Sequence, residues 1–245
     1  MGLELPTEKS KPKTKLNELM FYFYGLPKIG KTSLALQFPD ALLLACEPGA
    51  KTHECFQVPI KNWTDLRDIR TELKKKKEFA TVIIDTADLA FAYCDKYVCT
   101  RLGVEDRADA GWGKGWNAVK REFTDVVLSI SHTGRGIVFT SHQSMEPYKD
   151  HNGKDRQRII PSLRDKGAFI MNSIVDVWAP ILYENGSRVL RMRGNEHIEA
   201  GQRLSPKAFP HVAALDEIPL GKSAEEAYAA LFAALFPGQA KQEVK

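Results

Sequence analysis

A pattern of glycine, lysine and threonine constrains this 245-residue chain more than any other feature. The pattern G-x-x-x-x-G-K-T runs from Gly25 to Thr32 and directly follows the apolar run Phe21 to Tyr24. A strand, a tight loop and a helix are expected in that order. Glycines at both ends let the loop curl so that successive N–H groups point inward, and the helix adds the positive end of its dipole. The chain should therefore carry a phosphate-binding loop.

The polar side chains of this loop have the chemistry of a nucleotide and metal site. Lys31 is expected to contact the β- and γ-phosphates of a nucleotide, and the Thr32 hydroxyl is expected to bind Mg²⁺. A glycine-rich turn without a ligand is the alternative. The other residues expected around the nucleotide within this loop are Gly25, Pro27, Lys28, Gly30 and Ser33.

Size and composition limit the class of protein. With 43% hydrophobic and 27% charged residues, the chain is long enough for one α/β domain with a full core. We expect a flexible basic leader at residues 1–18, a single domain at 19–237 and a tail at 238–245. No apolar stretch approaches the roughly 20 residues of a membrane span, and no secretion signal is visible, so we expect a cytoplasmic protein without a membrane partner. The net charge of +4 permits a polyanionic partner without requiring one.

Strand and helix patterns alternate after the loop. The expected strands are 41–46, 81–85 and 136–141. The expected helices are 32–38, one capped by Asn62 and an amphipathic one over 116–130. This alternation predicts an α/β fold with a mostly parallel sheet flanked by helices.

The last third of the chain carries different signals. Apolar runs at 181–184 and 187–192 flank Asn185-Gly186, the strongest short-range signal for an antiparallel hairpin. We interpret this hairpin as an antiparallel extension of the main sheet. A capping box at Ser223 then begins a helix rich in alanine, leucine and phenylalanine.

A carboxylate ends the apolar strand Val82-Ile83-Ile84. Open α/β sheets bind their ligands at the carboxyl ends of strands. Asp85 is therefore expected to hold Mg²⁺ through a water, next to Thr32. The alternative is a helix cap, because an Ala/Leu-rich segment follows.

Hydrolysis also needs a group that activates water. Many P-loop ATPases place a glutamate immediately after the strand-end aspartate, but here that position is Thr86. Glu47 stands at the end of the strand lying between the phosphate loop and Asp85, and it would share the ligand-binding edge with Lys31. We predict Glu47 as the catalytic base. A loop carboxylate that caps or merely faces solvent is the alternative.

The strand at 136–141 is followed by two polar side chains on the same edge, His142 and Gln143. Either one can hydrogen-bond the γ-phosphate and would lose that bond on hydrolysis. We therefore predict His142 and Gln143 as candidate sensors of the nucleotide state. A surface polar residue at a strand end is the alternative for each.

These features in this order resemble the RecA/recombinase core of P-loop ATPases. The order is a phosphate loop, a strand ending in Glu47, the Asp85 strand and a strand ending in His142-Gln143. In that family the corresponding positions are the Mg²⁺-binding pair, a catalytic glutamate and a glutamine that couples the ATP state to a DNA-binding loop. The resemblance implies a RecA-like fold and a catalytic set of Lys31, Glu47, Asp85 and Gln143, with ATP and Mg²⁺ as cofactors.

Further segments look like phage-encoded RecA-like nucleotide-binding proteins, some of which act in single-strand annealing and recombination. These segments are the run G-W-G-K-G-W at 111–116, the strand end Ser141-His142, Asp176 in an apolar strand and the run R-M-R at 191–193. The resemblance covers about residues 20–205.

Two segments are expected to contact single-stranded DNA. The first follows Gln143, where a RecA-like protein keeps a mobile DNA-binding loop, although four acids nearly balance its cations. The second holds a tryptophan between glycines, and aromatic planes among cations suit stacked bases. A plain surface loop and core packing are the respective alternatives. The predicted DNA-binding residues are Lys149, Lys154, Arg156, Arg158 and Trp112, with Arg164 and Lys166 on the first segment as well.

Two arginines late in the chain are candidates for action on a neighbouring subunit. Arg191 and Arg193 alternate outward on the second hairpin strand. In the recombinase family, basic residues of this region reach the γ-phosphate of the adjacent subunit, which requires a ring or filament. Ordinary exposed strand cations are the alternative.

The leading hypothesis is a Mg²⁺-dependent ATPase that acts on single-stranded DNA in phage recombination or annealing. Its expected partners are single-stranded DNA, further copies of itself and other phage recombination or replication proteins, in the host cytoplasm. One alternative is a nucleotide-sensing assembly module with little hydrolysis, and another is a small-molecule kinase. A GTPase fits poorly, because the chain lacks the guanine-reading element N-K-x-D.

Overall fold

The computed structural model describes residues 5–163 and 165–239, without the side chains of residues 165 and 166. Residues 1–4 of the expected leader and residues 240–245 of the expected tail lie outside it. The strands are β1 Met20–Gly25, β2 Ala41–Ala45, β3 Phe56–Pro59, β4 Thr81–Asp85, β5 Gly136–Lys149, β6 Asp155–Pro161, β7 Val177–Glu184, β8 Ser187–Arg191, β9 Gly201–Gln202 and β10 Glu217–Pro219. The α-helices are α1 Lys31–Ala35, α2 Trp63–Lys75, α3 Ala87–Leu102, α4 Lys114–Ser131, α5 Asp165–Ile174 and α6 Ala224–Leu235, and single 3₁₀ turns lie at Leu16–Glu18 and Val212–Ala214.

The strands form one sheet whose central part is parallel. Its order is β10-β8-β7-β1-β5-β4-β2-β3, with β6 paired to β5 and β9 paired to β7. All neighbours from β7 to β3 run parallel, and the pairs β7–β8, β8–β10 and β5–β6 are antiparallel. The predicted fold class is confirmed: a mostly parallel sheet flanked by helices, with a hairpin extension. In the sheet, β5 rather than β2 lies between β1 and β4.

Helices bury both faces of this sheet. On β1, Tyr22 and Tyr24 face a core formed with α2, α3, α4 and α5, whereas Phe21 and Phe23 face a core formed with α1 and α6. All four rings have no exposed surface. A strand buried on both faces needs apolar residues at every position, which explains the continuous run before the phosphate loop. The phosphate loop therefore begins at the end of a strand that is buried in the core.

Local signals for turns and caps are confirmed. Asn185 and Gly186 have φ angles of 50° and 78°, as a two-residue hairpin turn with left-handed centres requires. Asn62 and Asp65 form a capping box at the start of α2, and Ser223 and Glu226 form another at the start of α6.

Two predictions about element length are wrong. The helix after the phosphate loop ends at Ala35 rather than Phe38. The expected mobile loop after Gln143 is instead the continuation of β5 to Lys149, paired with β6 from Asp155. We call this two-stranded unit, residues 143–161, the ribbon. Within the described residues, no helix is both long enough and apolar enough to cross a membrane.

Candidate active site

The phosphate loop joins β1 to α1 at the carboxyl edge of the sheet, and its glycines are sterically required. Gly25 has a φ of +155°, and a Cβ there would lie 2.5 Å from the carbonyl oxygen of Ile181 on β7. Gly30 has a φ of +104°, in the left-handed half of φ space that side chains disfavour. Lys28 also has a positive φ, of 64°. The loop can thus curl only with glycine at both ends.

The Lys31 ammonium lies inside this curl. Its Nζ donates to the carbonyl oxygens of Gly25 at 3.1 Å and Leu26 at 2.9 Å, and the residue is 7% exposed. Burial lowers the pKa of Lys31, and the carboxylates of Asp85 and Glu47 oppose that shift. A cation held in a partly dehydrated loop beside acids is suited to phosphate oxygens.

Thr32 and Asp85 bring two oxygen ligands together. Thr32 Oγ1 donates to Asp85 Oδ1 at 3.0 Å, and the Thr140 hydroxyl donates to the same oxygen. Asp85 is 3% exposed. Mg²⁺ binds oxygens at about 2.1 Å in an octahedron, so adjacent ligands lie about 3 Å apart. The 3.0 Å separation of the pair therefore fits two direct ligands of one magnesium ion, whereas the sequence predicts that Asp85 binds through a water.

Glu47 follows β2 on the same edge. The N–H of its neighbour Cys46 donates to the carbonyl oxygen of Asp85 at 2.6 Å, which brings the end of β2 to the end of β4. The Thr86 hydroxyl donates to Glu47 Oε1, and His142 Nε2 lies 3.7 Å from the same oxygen. Thr86 occupies the position where many P-loop ATPases carry their glutamate, and here it holds Glu47 instead.

The cleft between these elements has a volume of about 470 Å³. It collects the predicted nucleotide residues except Gly25, whose contribution is to the loop conformation, and it collects His142 but not Gln143. Three lining residues, Gly49, His53 and Thr86, carry no motif that sequence reasoning could use. The lining residues are Pro27, Lys28, Gly30, Lys31, Thr32, Ser33, Glu47, Gly49, His53, Asp85, Thr86 and His142.

The ribbon begins directly beside this cleft, because β5 contains both His142 and the first strand of the ribbon. β5 passes the cleft at His142 and then continues outward, and the returning strand closes at Ser162, whose N–H donates to the His142 carbonyl oxygen at 2.8 Å. The Ser162 hydroxyl donates to Asp88 Oδ1 in the first turn of α3. The two residues that flank the ribbon, His142 and Ser162, are therefore joined to each other beside the candidate site.

Most predicted DNA-binding cations of the ribbon are paired with acids. Ion pairs join Lys149 to Asp155 at 3.1 Å, Arg156 to Asp150 at 3.1 Å and Arg158 to Glu146 at 2.6 Å. Lys154 has no ion pair among the described side chains, and those of Arg164 and Lys166 lie outside them. The ribbon therefore presents a nearly neutral surface with one free cation on its described part.

Trp112 is fully exposed, at 103% of its reference area. Gly111, Trp112 and Gly113 have consecutive positive φ angles of 72°, 43° and 72°. Trp116 differs, because the Arg107 guanidinium lies 3.5 Å from its ring centroid. A strained, fully exposed indole is a candidate contact for a partner.

The two late arginines lie away from the phosphate loop. β8 runs antiparallel to β7 and ends at Arg191, so the chain recedes from the carboxyl edge along it, and Arg193 follows the strand rather than lying on it as predicted. Arg191 pairs with Glu184 at 2.9 Å and Glu217 at 3.0 Å, and Arg193 pairs with Asp216 at 3.2 Å. The first arginine of the strand, Arg188, contacts the phosphate loop instead. The antiparallel direction of the predicted hairpin was the signal that could have identified it.

Comparisons with known proteins agree with this geometry. A protein-family model described as an AAA domain matches residues 17–204, which include the phosphate loop, Glu47, Asp85, the ribbon and the hairpin. The SPbeta prophage-derived uncharacterized protein YorG of Bacillus subtilis (strain 168) is 24% identical over 155 residues. That alignment covers 60% of this chain and 48% of the relative, so the chain spans about half the length of the curated relative that it matches.

Proposed function

Because this chain belongs to the family of AAA domains, we propose that it binds ATP with Mg²⁺ in the cleft at the carboxyl edge and hydrolyses it to ADP and phosphate. One observation carries the proposal above all others. The Thr32 hydroxyl and the Asp85 carboxylate meet at 3.0 Å, directly beside the buried Lys31. Two hard oxygen ligands and a cation at one loop suit a metal-bound triphosphate.

Each residue of the loop has a distinct task in binding. Backbone N–H groups of the curled loop hold the phosphate oxygens, and Lys31 exchanges its carbonyl partners for the β- and γ-phosphates. Thr32 and Asp85 would hold Mg²⁺, and the ion would supply positive charge against the charge that develops on the transferred phosphoryl group. Thr140 orients Asp85 through its hydroxyl.

Glu47 is the proposed base. The Thr86 hydroxyl fixes one carboxylate oxygen, which leaves the other able to accept a proton from water in line with the γ-phosphate. His142 is the proposed sensor, because its ring lines the cleft and lies near Glu47, whereas Gln143 does not line it. Loss of the γ-phosphate would release the His142 ring and shift the ribbon that begins there.

Single-stranded DNA is the proposed regulator or substrate, and the continuity of β5 from the cleft into the ribbon favours it. Bases would stack on Trp112, whose ring is fully exposed, and phosphates would contact Lys154 at the ribbon turn. The prophage origin of the relative supports a phage association for this chain, and action in phage recombination or annealing is part of the proposal. Assembly into a ring or filament remains part of the proposal, although the ion pairs of Arg191 argue against that arginine as a trans-acting group.

The test is ATP turnover by purified protein with and without single-stranded DNA. We expect Mg²⁺-dependent release of free phosphate, its abolition in Lys31→Ala and normal turnover in Lys77→Ala, which removes an exposed lysine at the opposite edge. Full activity in Lys31→Ala would contradict the site. Tight ATP binding without turnover would favour the assembly module, and phosphate found on an acceptor would favour a kinase.

A further inference from the structure

Arg188 joins three separate parts of the chain around the phosphate loop. Its guanidinium donates to the carbonyl oxygen of Ile29 at 3.4 Å, to that of Gly221 at 3.1 and 3.3 Å, and to that of Ser223 at 3.0 Å. Ile29 belongs to the phosphate loop, whereas Gly221 and Ser223 precede α6. One side chain on β8 therefore ties the loop to the start of the C-terminal helix.

The same guanidinium packs against the second glycine of the loop. A Cβ built on Gly30 would lie 2.5 Å from Arg188 Nη1. Gly30 lines the cleft, whereas Arg188 and the carbonyl groups of Gly221 and Ser223 that it contacts do not, so the guanidinium lies on the side of the loop that faces β8 and α6. Gly30 thus has a second reason to lack a side chain, besides its φ of +104°.

Peptide geometry connects this outer contact to the inner surface of the loop. The carbonyl of Ile29 and the N–H of Gly30 belong to one planar trans peptide unit, so they point in opposite directions. Arg188 draws the carbonyl oxygen outward, and the N–H of Gly30 is thereby turned away from Arg188 and toward the cleft. A loop N–H with this direction can donate a hydrogen bond to a phosphate oxygen.

We propose that Arg188 is a positioning residue for nucleotide binding, which orients the Ile29–Gly30 peptide and couples the phosphate loop to α6. This inference rests on the proposed ATP site. The packing of Phe38 against Tyr228, with ring centroids 5.5 Å apart, adds a second contact between the loop side of the molecule and α6. Coupling is reciprocal, so ATP bound at the loop also stabilises the first turn of α6.

The chain provides a matched control. Arg203 also grips backbone carbonyls, those of Ser173 at 2.9 Å and Ile174, and pairs with Asp176 at 3.1 Å. Its partners lie at the amino end of β7, on the edge opposite the cleft. Arg203→Gln therefore removes a comparable clamp without touching the phosphate loop.

The experiment compares ATP affinity with Mg²⁺, by calorimetry, in the full chain and in Arg188→Gln, Arg188→Lys and Arg203→Gln. We expect Arg188→Gln to weaken binding about tenfold, within the usual range of coupling between sites. Arg188→Lys should recover only part of this loss, because the donors of an ammonium radiate from a single nitrogen, whereas Arg188 reaches its carbonyl partners from three nitrogens. Arg203→Gln should bind ATP within about twofold of the parent chain. Unchanged affinity in Arg188→Gln, or an equal loss in Arg203→Gln, would overturn the inference.

A measurement on the parent chain keeps the inference testable if Arg188→Gln does not fold. Amide hydrogen exchange with and without ATP should show slower exchange in the first turn of α6, at residues 224–227, as well as in the loop. Protection of the loop without protection of α6 would overturn the coupling. If the parent chain binds no ATP, the proposed function fails first, and the role of Arg188 fails with it.

Discussion

Glu47 owes its proposed role to the side chains that hold its carboxylate. Thr86 donates to Oε1, and His142 stands 3.7 Å from the same atom. Glu47→Gln keeps the size and the Thr86 contact but cannot accept a proton. We expect turnover to fall about 10²- to 10⁴-fold while ATP affinity changes little, which steady-state kinetics and calorimetry would measure. Glu54→Gln, an exposed glutamate of the following loop, serves as the control, and normal turnover in Glu47→Gln would exclude Glu47 as the base.

Glu199 lies outside the cleft, next to the ribbon, and its half-buried carboxylate makes stability depend on pH. Burial raises its pKa, Arg158 opposes the shift, and Glu146 adds to it. A raised folded-state pKa favours folding when the group is protonated, and this advantage is lost as pH rises through the folded pKa. Glu199→Gln should therefore raise Tm near pH 7, and the gain should shrink as pH falls toward about 4.5, the usual range of a glutamate.

Thermal scans at several pH values would measure this effect, with the exposed Glu196→Gln as the matched control. In Glu199→Gln, Arg158 keeps its ion pair with Glu146 at 2.6 Å, so the substitution leaves no cation without a carboxylate partner. A gain that does not change with pH would mean that packing rather than ionisation causes it.

Residues of the phosphate loop could be predicted because their spacing is local. Lys31 and Thr32 take their roles from neighbours within eight positions, and Asp85 takes its role from the end of an apolar strand. Thr140 lies within β5 and Thr86 directly follows β4. Their roles in positioning Asp85 and Glu47 were not predictable, because a threonine in or beside a strand has no pattern of its own. Arg188 meets Ile29 across 159 positions of sequence, and no local signal carries that information.

Strands, turns and caps also divide into those with a local sequence signal, which were predicted, and those without one, which were not. The Asn185-Gly186 turn, the Asn62 cap and the Ser223 capping box were predicted because each uses residues within a few positions of one another. The ribbon was missed because neither of its strands buries an apolar face over most of its length. Opposite charges that face each other across the strands stabilise it instead, with Glu146 opposite Arg158 and Lys149 opposite Asp155.

This pairing changes what the ribbon can contribute to DNA binding. Arg156 and Arg158 must leave a carboxylate before they neutralise a phosphate, whereas Lys154 has no ion pair among the described side chains. Replacing Lys154, Arg156 and Arg158 with glutamine should reduce the slope of log K against log salt for oligo-dT by less than the roughly 0.7 per contact of single strands, with Lys154 giving most of the change. The triple variant of Lys74, Lys75 and Lys77 loses the same charge at the opposite edge and should keep the parent slope. If the two triple variants have the same slope of log K against log salt, the ribbon does not contact DNA phosphates.

The order of strands in the whole sheet was beyond the sequence patterns. Alternating elements predict a parallel sheet, but they do not say that β5 inserts between β1 and β4. That insertion places Thr140 beside Asp85 and carries His142 to the cleft. The ligand-binding edge was predictable because parallel strands end on one side, whereas the neighbours along that edge depend on long-range packing.

The convergence of β1, α1, β4 and β5 on one cleft means that ATP should stabilise the molecule as a unit. A ligand at about 100 times its Kd adds roughly 2.7 kcal/mol, and each kcal/mol raises Tm by about 2–4 °C in a chain of this size, so a rise of about 5–10 °C is expected with ATP and Mg²⁺. Removal of Mg²⁺ with EDTA should abolish most of the rise. Thr32→Val, which removes a metal ligand and keeps the shape, should show the small rise of the EDTA sample even with Mg²⁺ present, whereas Thr71→Val on the exposed side of α2 should behave like the parent. A full rise in Thr32→Val, or one that is independent of Mg²⁺, would show that the Thr32–Asp85 pair does not hold the metal.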